Sequence, residues 1–447
     1  MTKLDEHFAS DFPVLLASGA LTGSFADFAD QPSKRIETRG ERYLAWRKNR
    51  MKFGVWPFST TIRCAPAPEV TITNEVGETR SGLNFASQDY LGLSAHPVVR
   101  EAAIEAIREY GPHSASAPVL QGNSTVSLLL EQAIAHALKT DFVVLFPTGW
   151  AAGFGAVTGL VRKSDHVVLD LYAHNCTVRG ALAATPNVHR VLHLSTDGFA
   201  QQLDRIRTVD NENAILVVTE GIFSMDADTP NIPALQDLCQ QYEATLLVDI
   251  AHDFGSCGPG GSGTLGIQDM LGKVDLVVGS FSKVFASNGG FVATRSETVK
   301  EYLRPYAPSH TFSNAISPLQ CATVLAALEI IQSAEGDDLR RRLLEVVNCL
   351  RDALQHSALR CLGEPGPVVP VFLGPEGVGR ITAALCFDAG LFANLVEFPA
   401  VAVGASRFRM QVMASHSEAQ VERAAGIIGE AYQFATKLFA DHGSSAA

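Results

Sequence analysis

The chain has 447 residues, 47% of them apolar and 18% charged, with a formal net charge of −12. That length allows a large core and two lobes; the mixture is that of a soluble globular protein, and the acidic balance argues against nucleic acid as a main partner. Eight cysteines, none at Cys-x-x-Cys spacing, show neither a zinc ribbon nor a redox motif, and read as reduced thiols of a cytoplasmic protein.

Residues 1–83 read as an N-terminal arm without a signal-peptide pattern, partly helical, with a basic stretch from Arg42 to Lys52 and short strands around Val70 to Ile72. Asn84 opens the main body. Pro97 suits the first turn of a helix running to Tyr110, and the polar stretch 111–123 precedes a helix with apolar residues at 126, 130 and 134. The run Phe142 to Val161 carries no charge, yet Pro147 and four glycines break it into strand, turn and buried helix, so no membrane insertion is expected.

From Phe142 to Thr294 short apolar strands alternate with helical patterns, at 142–146, 166–170, 188–192, 214–219, 245–249, 274–279 and 290–293. This predicts an α/β fold: a large domain over 84–330 with a mostly parallel seven-stranded sheet, covered by helices on both faces. Ligands of such sheets bind beyond the carboxyl ends of the strands, where Thr148, Gly149, His174, Glu220, Asp249 and Lys283 fall. Ser317 to Ile330 and Asp337 to His356 read as long helices leading into a smaller α+β domain, 331–447. Its predicted strands lie at 369–373, 392–398 and 405–413, with helices at 378–389 and from Ser417. The glycine-rich loop 258–266 lacks both nucleotide-binding registers and reads as a turn.

The chemistry concentrates after the Val274–Gly279 strand. Lys283 stands among Phe281, Val284 and Phe285, apolar company in which desolvation favours a nucleophilic amine. Asp249 ends a neighbouring apolar strand. A Schiff-base lysine and a strand-end aspartate are the two fixed points of a pyridoxal phosphate site. At ~4 Å and an effective dielectric of about 20, a carboxylate stabilises the protonated ring nitrogen by roughly 4 kcal/mol, about three pKa units.

These residues belong to an ordered set: Asp89-Tyr-Leu-Gly-Leu, Thr148-Gly-Trp150, Asp170-x-x-x-His174, Ser224-Met-Asp226, Asp249-x-x-His252, Ser280-x-x-Lys283, Phe312-Ser-Asn314 and Arg407-x-Arg409 before His416. The set resembles the α-oxoamine synthases, fold-type-I pyridoxal phosphate enzymes, from about Asn84 to His416. The resemblance implies that Thr148, Gly149, Trp150 and Ser280 hold the cofactor phosphate, completed by Ser313 and Asn314 of a second subunit in a homodimer with shared active sites. It implies that His174 stacks on the ring, that His252 and Ser224 contact its O3′, and that Asp249 faces the ring nitrogen. Lys283 is then covalent anchor and general base, with Arg409 as the amino-acid carboxylate clamp and Arg407 structural or solvent-facing. No metal is implied.

The implied reaction condenses an amino acid with an acyl thioester, CoA or acyl carrier protein, usually with decarboxylation, to an α-amino ketone. An aminotransferase or an amino-acid lyase is open on the same fold, as is a non-catalytic partner subunit. Two departures bear on substrate: Gln88 stands where the family has Asn, and 111–122 replaces a Gly/Arg-rich loop. Its Pro112, Pro118 and Val119 suggest a stiffer, more apolar wall and a medium or long acyl chain.

Overall fold

The computed structural model describes residues 3–442; residues 1–2 and 443–447, the ends of the expected arm and small domain, lie outside the described residues. The chain divides into two compact units. One comprises Gln88–Ser224 and Asp228–Arg341, the other Met1–Ser87, Met225–Ala227 and Arg342–Ala447.

The first unit holds a seven-stranded sheet in the order Phe142–Phe146, Gly290–Thr294, Leu276–Ser280, Thr245–Asp249, Ile215–Glu220, His166–Asp170, Val188–Val191. Its last five strands run parallel. The Gly290–Thr294 strand is antiparallel to both neighbours. The central strands are buried at nearly every position, so their residues need no polar alternation; helices cover both faces, which is why the runs are continuously apolar. Gly149–Leu160, the helix drawn from the uncharged run, contributes Ala152, Ala156 and Val157 to this core.

In the second unit another seven-stranded sheet runs in the order Thr61–Ile62, Glu69–Thr73, Thr79–Phe85, Leu391–Val396, Ser406–Gln411, Val368–Gly374, Arg360–Cys361. Residues from both ends of the sequence build it, joined where Thr79–Phe85 pairs in parallel with Leu391–Val396. A buried charge cluster adds a second joint. Arg50 Nη1 lies 3.0 Å and Arg380 Nε 2.8 Å from the two carboxylate oxygens of Glu397. Arg50 also stacks over Trp46 and Trp56, and burial lowers its pKa to about 10 against the pull of Glu397.

Candidate active site

Three strands of the parallel sheet end side by side. Glu220 is in register with Asp249, and Asp249 with Val278. Beyond these ends lies a cavity of about 250 Å³. It is lined by eight of the expected residues, Thr148, Gly149, Trp150, His174, Asp249, His252, Ser280 and Lys283, together with Glu220 and Cys176.

The anion-binding end is built from the Gly149–Leu160 helix. Thr148 caps it, its Oγ1 accepting the N–H of Ala151 at 3.0 Å, and leaves the first amides of the helix for an anion. A Cβ on Gly149 would lie 2.4 Å from Ser280 Oγ, so only glycine lets this turn approach the Ser280 hydroxyl. Ser280 Oγ in turn lies 2.8 Å from Ser282 Oγ.

At the other end Asp249 is buried and accepts the N–H of Ala251 at 3.0 Å. His252, buried beside it, has its Nδ1 3.0 Å from Tyr90 Oη. Tyr90 is fully buried and fixes the plane of the imidazole. His174 caps the Asn175–Ala184 helix, its Nδ1 3.0 Å from Cys176 Sγ. The turn that leads to it is braced from behind by Asp170, which accepts the N–H of Tyr172 at 2.8 Å and of Leu194 at 2.9 Å. His193 bridges Asp170 at 2.8 Å and Asp228 at 3.1 Å. Burial disfavours its charge, but hydrogen bonds to the two carboxylates prevail and raise its pKa to about 9.

Burial and the neighbouring Asp249 push the Glu220 carboxyl well above the usual range. Burial, then the Asp249 charge, likewise push the Cys176 thiol up. Ligand atoms of His174, Cys176 and Asp249 lie within 4.8 Å of one another, while the helix N-terminus opposite calls for an anion. The set fits a phosphorylated pyridine: anion donors at one end, a carboxylate at the other, and the Lys283 amine in the same cavity.

The remaining expected residues lie elsewhere. Ser224 is buried but does not line the cavity, and Gln88 is half-buried at the start of its unit. Ser313 and Asn314 are also outside it; Asn314 Nδ2 lies 3.2 Å from His113 Nε2, and Ser114 Oγ donates to the carbonyl of Ala315 at 2.9 Å. The 111–122 loop, expected as a wall of the site, thus packs on the 313–315 segment and contributes no lining residue. In the other unit Arg407 is buried and engages the Asp226 carboxylate and the Met225 carbonyl, while Arg409 is half-buried two positions along the strand. Tyr90, Asp170 and Glu220 were given no role in the site, and His193 and Asp228 were not named. Tyr90 and Asp170 lay inside quoted motifs, and Glu220 already stood at the ligand end of its strand.

Fold and site together define a fold-type-I α/β enzyme. The chain belongs to the aminotransferase class I and II family, which it matches over residues 80–428, and within it to the α-oxoamine synthases. It is 33% identical over 351 residues to 8-amino-7-oxononanoate synthase of Trichlorobacter lovleyi, covering 78% of this chain and 89% of the relative. A serine palmitoyltransferase of Sphingobacterium spiritivorum is 32% identical over 371 residues, 83% of this chain and 90% of the relative. Among solved structures, SPT with its PLP internal aldimine superposes with a TM-score of 0.84 at 26% identity, covering 90% of this chain and 100% of that one. Serine palmitoyltransferase of Sphingomonas wittichii gives 0.83 at 25% identity, with coverage of 90% and 99%.

Proposed function

We propose that the chain is a pyridoxal phosphate-dependent C-acyltransferase that joins the α-carbon of an amino acid to the acyl group of a thioester. The observation that carries this reading is the convergence of Lys283, Asp249, His174 and His252 on one cavity, in a chain whose relatives over most of its length are synthases. When bound, the cofactor supplies an aldehyde and an electron-withdrawing ring. The Gly149 and Trp150 amides and Ser280 would receive its phosphate, Asp249 would hold a negative charge against the ring nitrogen, and His174 would cover the ring face. His252, oriented by Tyr90, would meet the phenolic oxygen. The Lys283 amine would take the aldehyde and, once displaced by substrate, move the α-proton. Arg409 would clamp the substrate carboxylate with its planar fork.

Ser313 and Asn314 lie outside the cavity of their own chain, beside a Phe312 that is 86% exposed. This supports a homodimer in which the segment serves the other subunit. Among the described residues no helix is long and apolar enough to cross a membrane, and all eight cysteines are unpaired, which supports a cytoplasmic protein.

The test is a matrix of amino acids against CoA and acyl-carrier-protein thioesters, read by mass spectrometry, with borohydride reduction mapping the cofactor to Lys283. Products should be α-amino ketones. A cofactor-loaded chain that only exchanges amino groups between amino and keto acids is an aminotransferase, and the reading fails.

A further inference from the structure

Glu220 is a carboxylate to which the reaction above gives no task. It ends the Ile215–Glu220 strand in register with Asp249 on the adjacent parallel strand. Residues in register on parallel strands present their side chains to the same face, so two carboxylates stand side by side. Both line the same cavity, 4% and 7% exposed. The backbone N–H of His174 is directed at the Glu220 carboxyl group. Its Oε1 is buried with no hydrogen-bond partner.

Like charges side by side in a buried pocket disfavour each other. Asp249 faces the ring nitrogen in the reading above and already accepts the N–H of Ala251. Around Glu220 the other groups are Asp170, whose charge adds to that of Asp249, and Lys283, whose charge opposes them. Burial and the Asp249 charge dominate, and both favour the neutral acid.

We propose that Glu220 is a positioning residue that works as a neutral acid: it ties down the turn carrying His174 and leaves Asp249 as the single carboxylate charge beneath the ring. Ionised, Glu220 would place a second negative charge against the ring, and the balance set by Asp249 would no longer be its own. Substituted by alanine, the His174 backbone N–H loses its acceptor inside the fold, and the ring-covering imidazole loses its anchor.

This proposal rests on the pyridoxal phosphate reading, and its test separates the two. Infrared difference spectra of the loaded enzyme at neutral pH should show the C=O stretch of a protonated carboxylic acid that disappears in Glu220→Gln. The absorption and induced circular dichroism of the bound cofactor should be kept in Glu220→Gln, a neutral isostere with an acceptor oxygen, and altered in Glu220→Ala. Glu220→Ala should also lose about tenfold or more in kcat, the cost of an unmade buried hydrogen bond, and Glu220→Gln should rescue most of it. A purely structural glutamate would lower the melting temperature of both variants and leave the cofactor spectra alone, which overturns the proposal. So does a Glu220→Gln enzyme with the cofactor spectrum of the alanine variant, or a wild type without the acid band. If wild type binds no pyridoxal phosphate, the underlying reading fails instead; the acid band is then read on the bare chain, where its presence supports a neutral Glu220 and its absence overturns it.

Discussion

Arg407 and Arg409 lie two positions apart on the Ser406–Gln411 strand, so both side chains leave the same face. Their surroundings separate them: Arg407 is spent on Asp226. Arg409→Ala should raise the KM for the amino acid by an amount worth ~2–5 kcal/mol, the loss of a desolvated charge pair. Arg407→Ala should lower the melting temperature and change that KM less. Equal rises in KM would reverse the assignment. His193 gives a pH signature. Its folded-state pKa of about 9 stands above the ordinary 6.5, so its contribution to stability is complete below about 6.5 and is lost as pH rises through about 9. Melting curves of wild type and His193→Gln should be furthest apart below 6.5 and converge across that window; a constant gap would show that His193 is not charged.

At the scale of elements, the approach of the Gly149–Leu160 helix to the sheet is set by backbone contact. A Cβ on Gly290 would lie 2.6 Å from Gly149 Cα and 2.8 Å from the carbonyl oxygen of Gly279. Neither can turn aside as a flexible side chain would. Gly290→Ala should cost about 1–3 kcal/mol in stability and weaken cofactor retention by moving the Gly149 amides; equilibrium unfolding and dialysis measure the two effects. The strands of this sheet were legible in the sequence because burial on both faces leaves unbroken apolar runs, and Phe142–Phe146, His166–Asp170 and Thr245–Asp249 fall where those runs do. Asp249 was singled out in the sequence because it closes such a run and Lys283 because it follows one; both line the cavity. The contact of Tyr90 with His252 was not, since 162 positions separate them and no local pattern records it. Arg50 belongs to the basic stretch, yet its guanidinium is fully buried, held between the nearby faces of Trp46 and Trp56 and by Glu397, 347 positions away, a partner no local pattern records.

For the whole molecule, the family match begins only at residue 80, yet residues upstream of it are built into the second unit through Arg50 and the Thr61–Ile62 and Glu69–Thr73 strands. The weight carried by this joint is testable at Glu397. Glu397→Ala strands two buried guanidinium groups without their countercharge, and removing one partner of such a cluster costs about 3–5 kcal/mol. Glu397→Gln, which keeps an acceptor oxygen for one of the two guanidinium groups, should cost less. If chemical denaturation shows both variants as stable as wild type, the cluster is not a structural joint.

The parallel pairing of Thr79–Phe85 with Leu391–Val396 has a consequence for the order of events on the ribosome. The first partner emerges during synthesis more than three hundred residues before the second, and contacts so distant in sequence form slowly. Residues 88–341 include all the strands of the parallel sheet and can close while the earlier segment still waits. For that interval the Glu69–Thr73 and Thr79–Phe85 strands form an unfinished hairpin with an open edge, the kind of surface that chaperones shield. Nascent chains stalled after residue 341 should resist protease across 88–341 and remain cleavable upstream of it; protection of both at that length would mean that the hairpin does not wait.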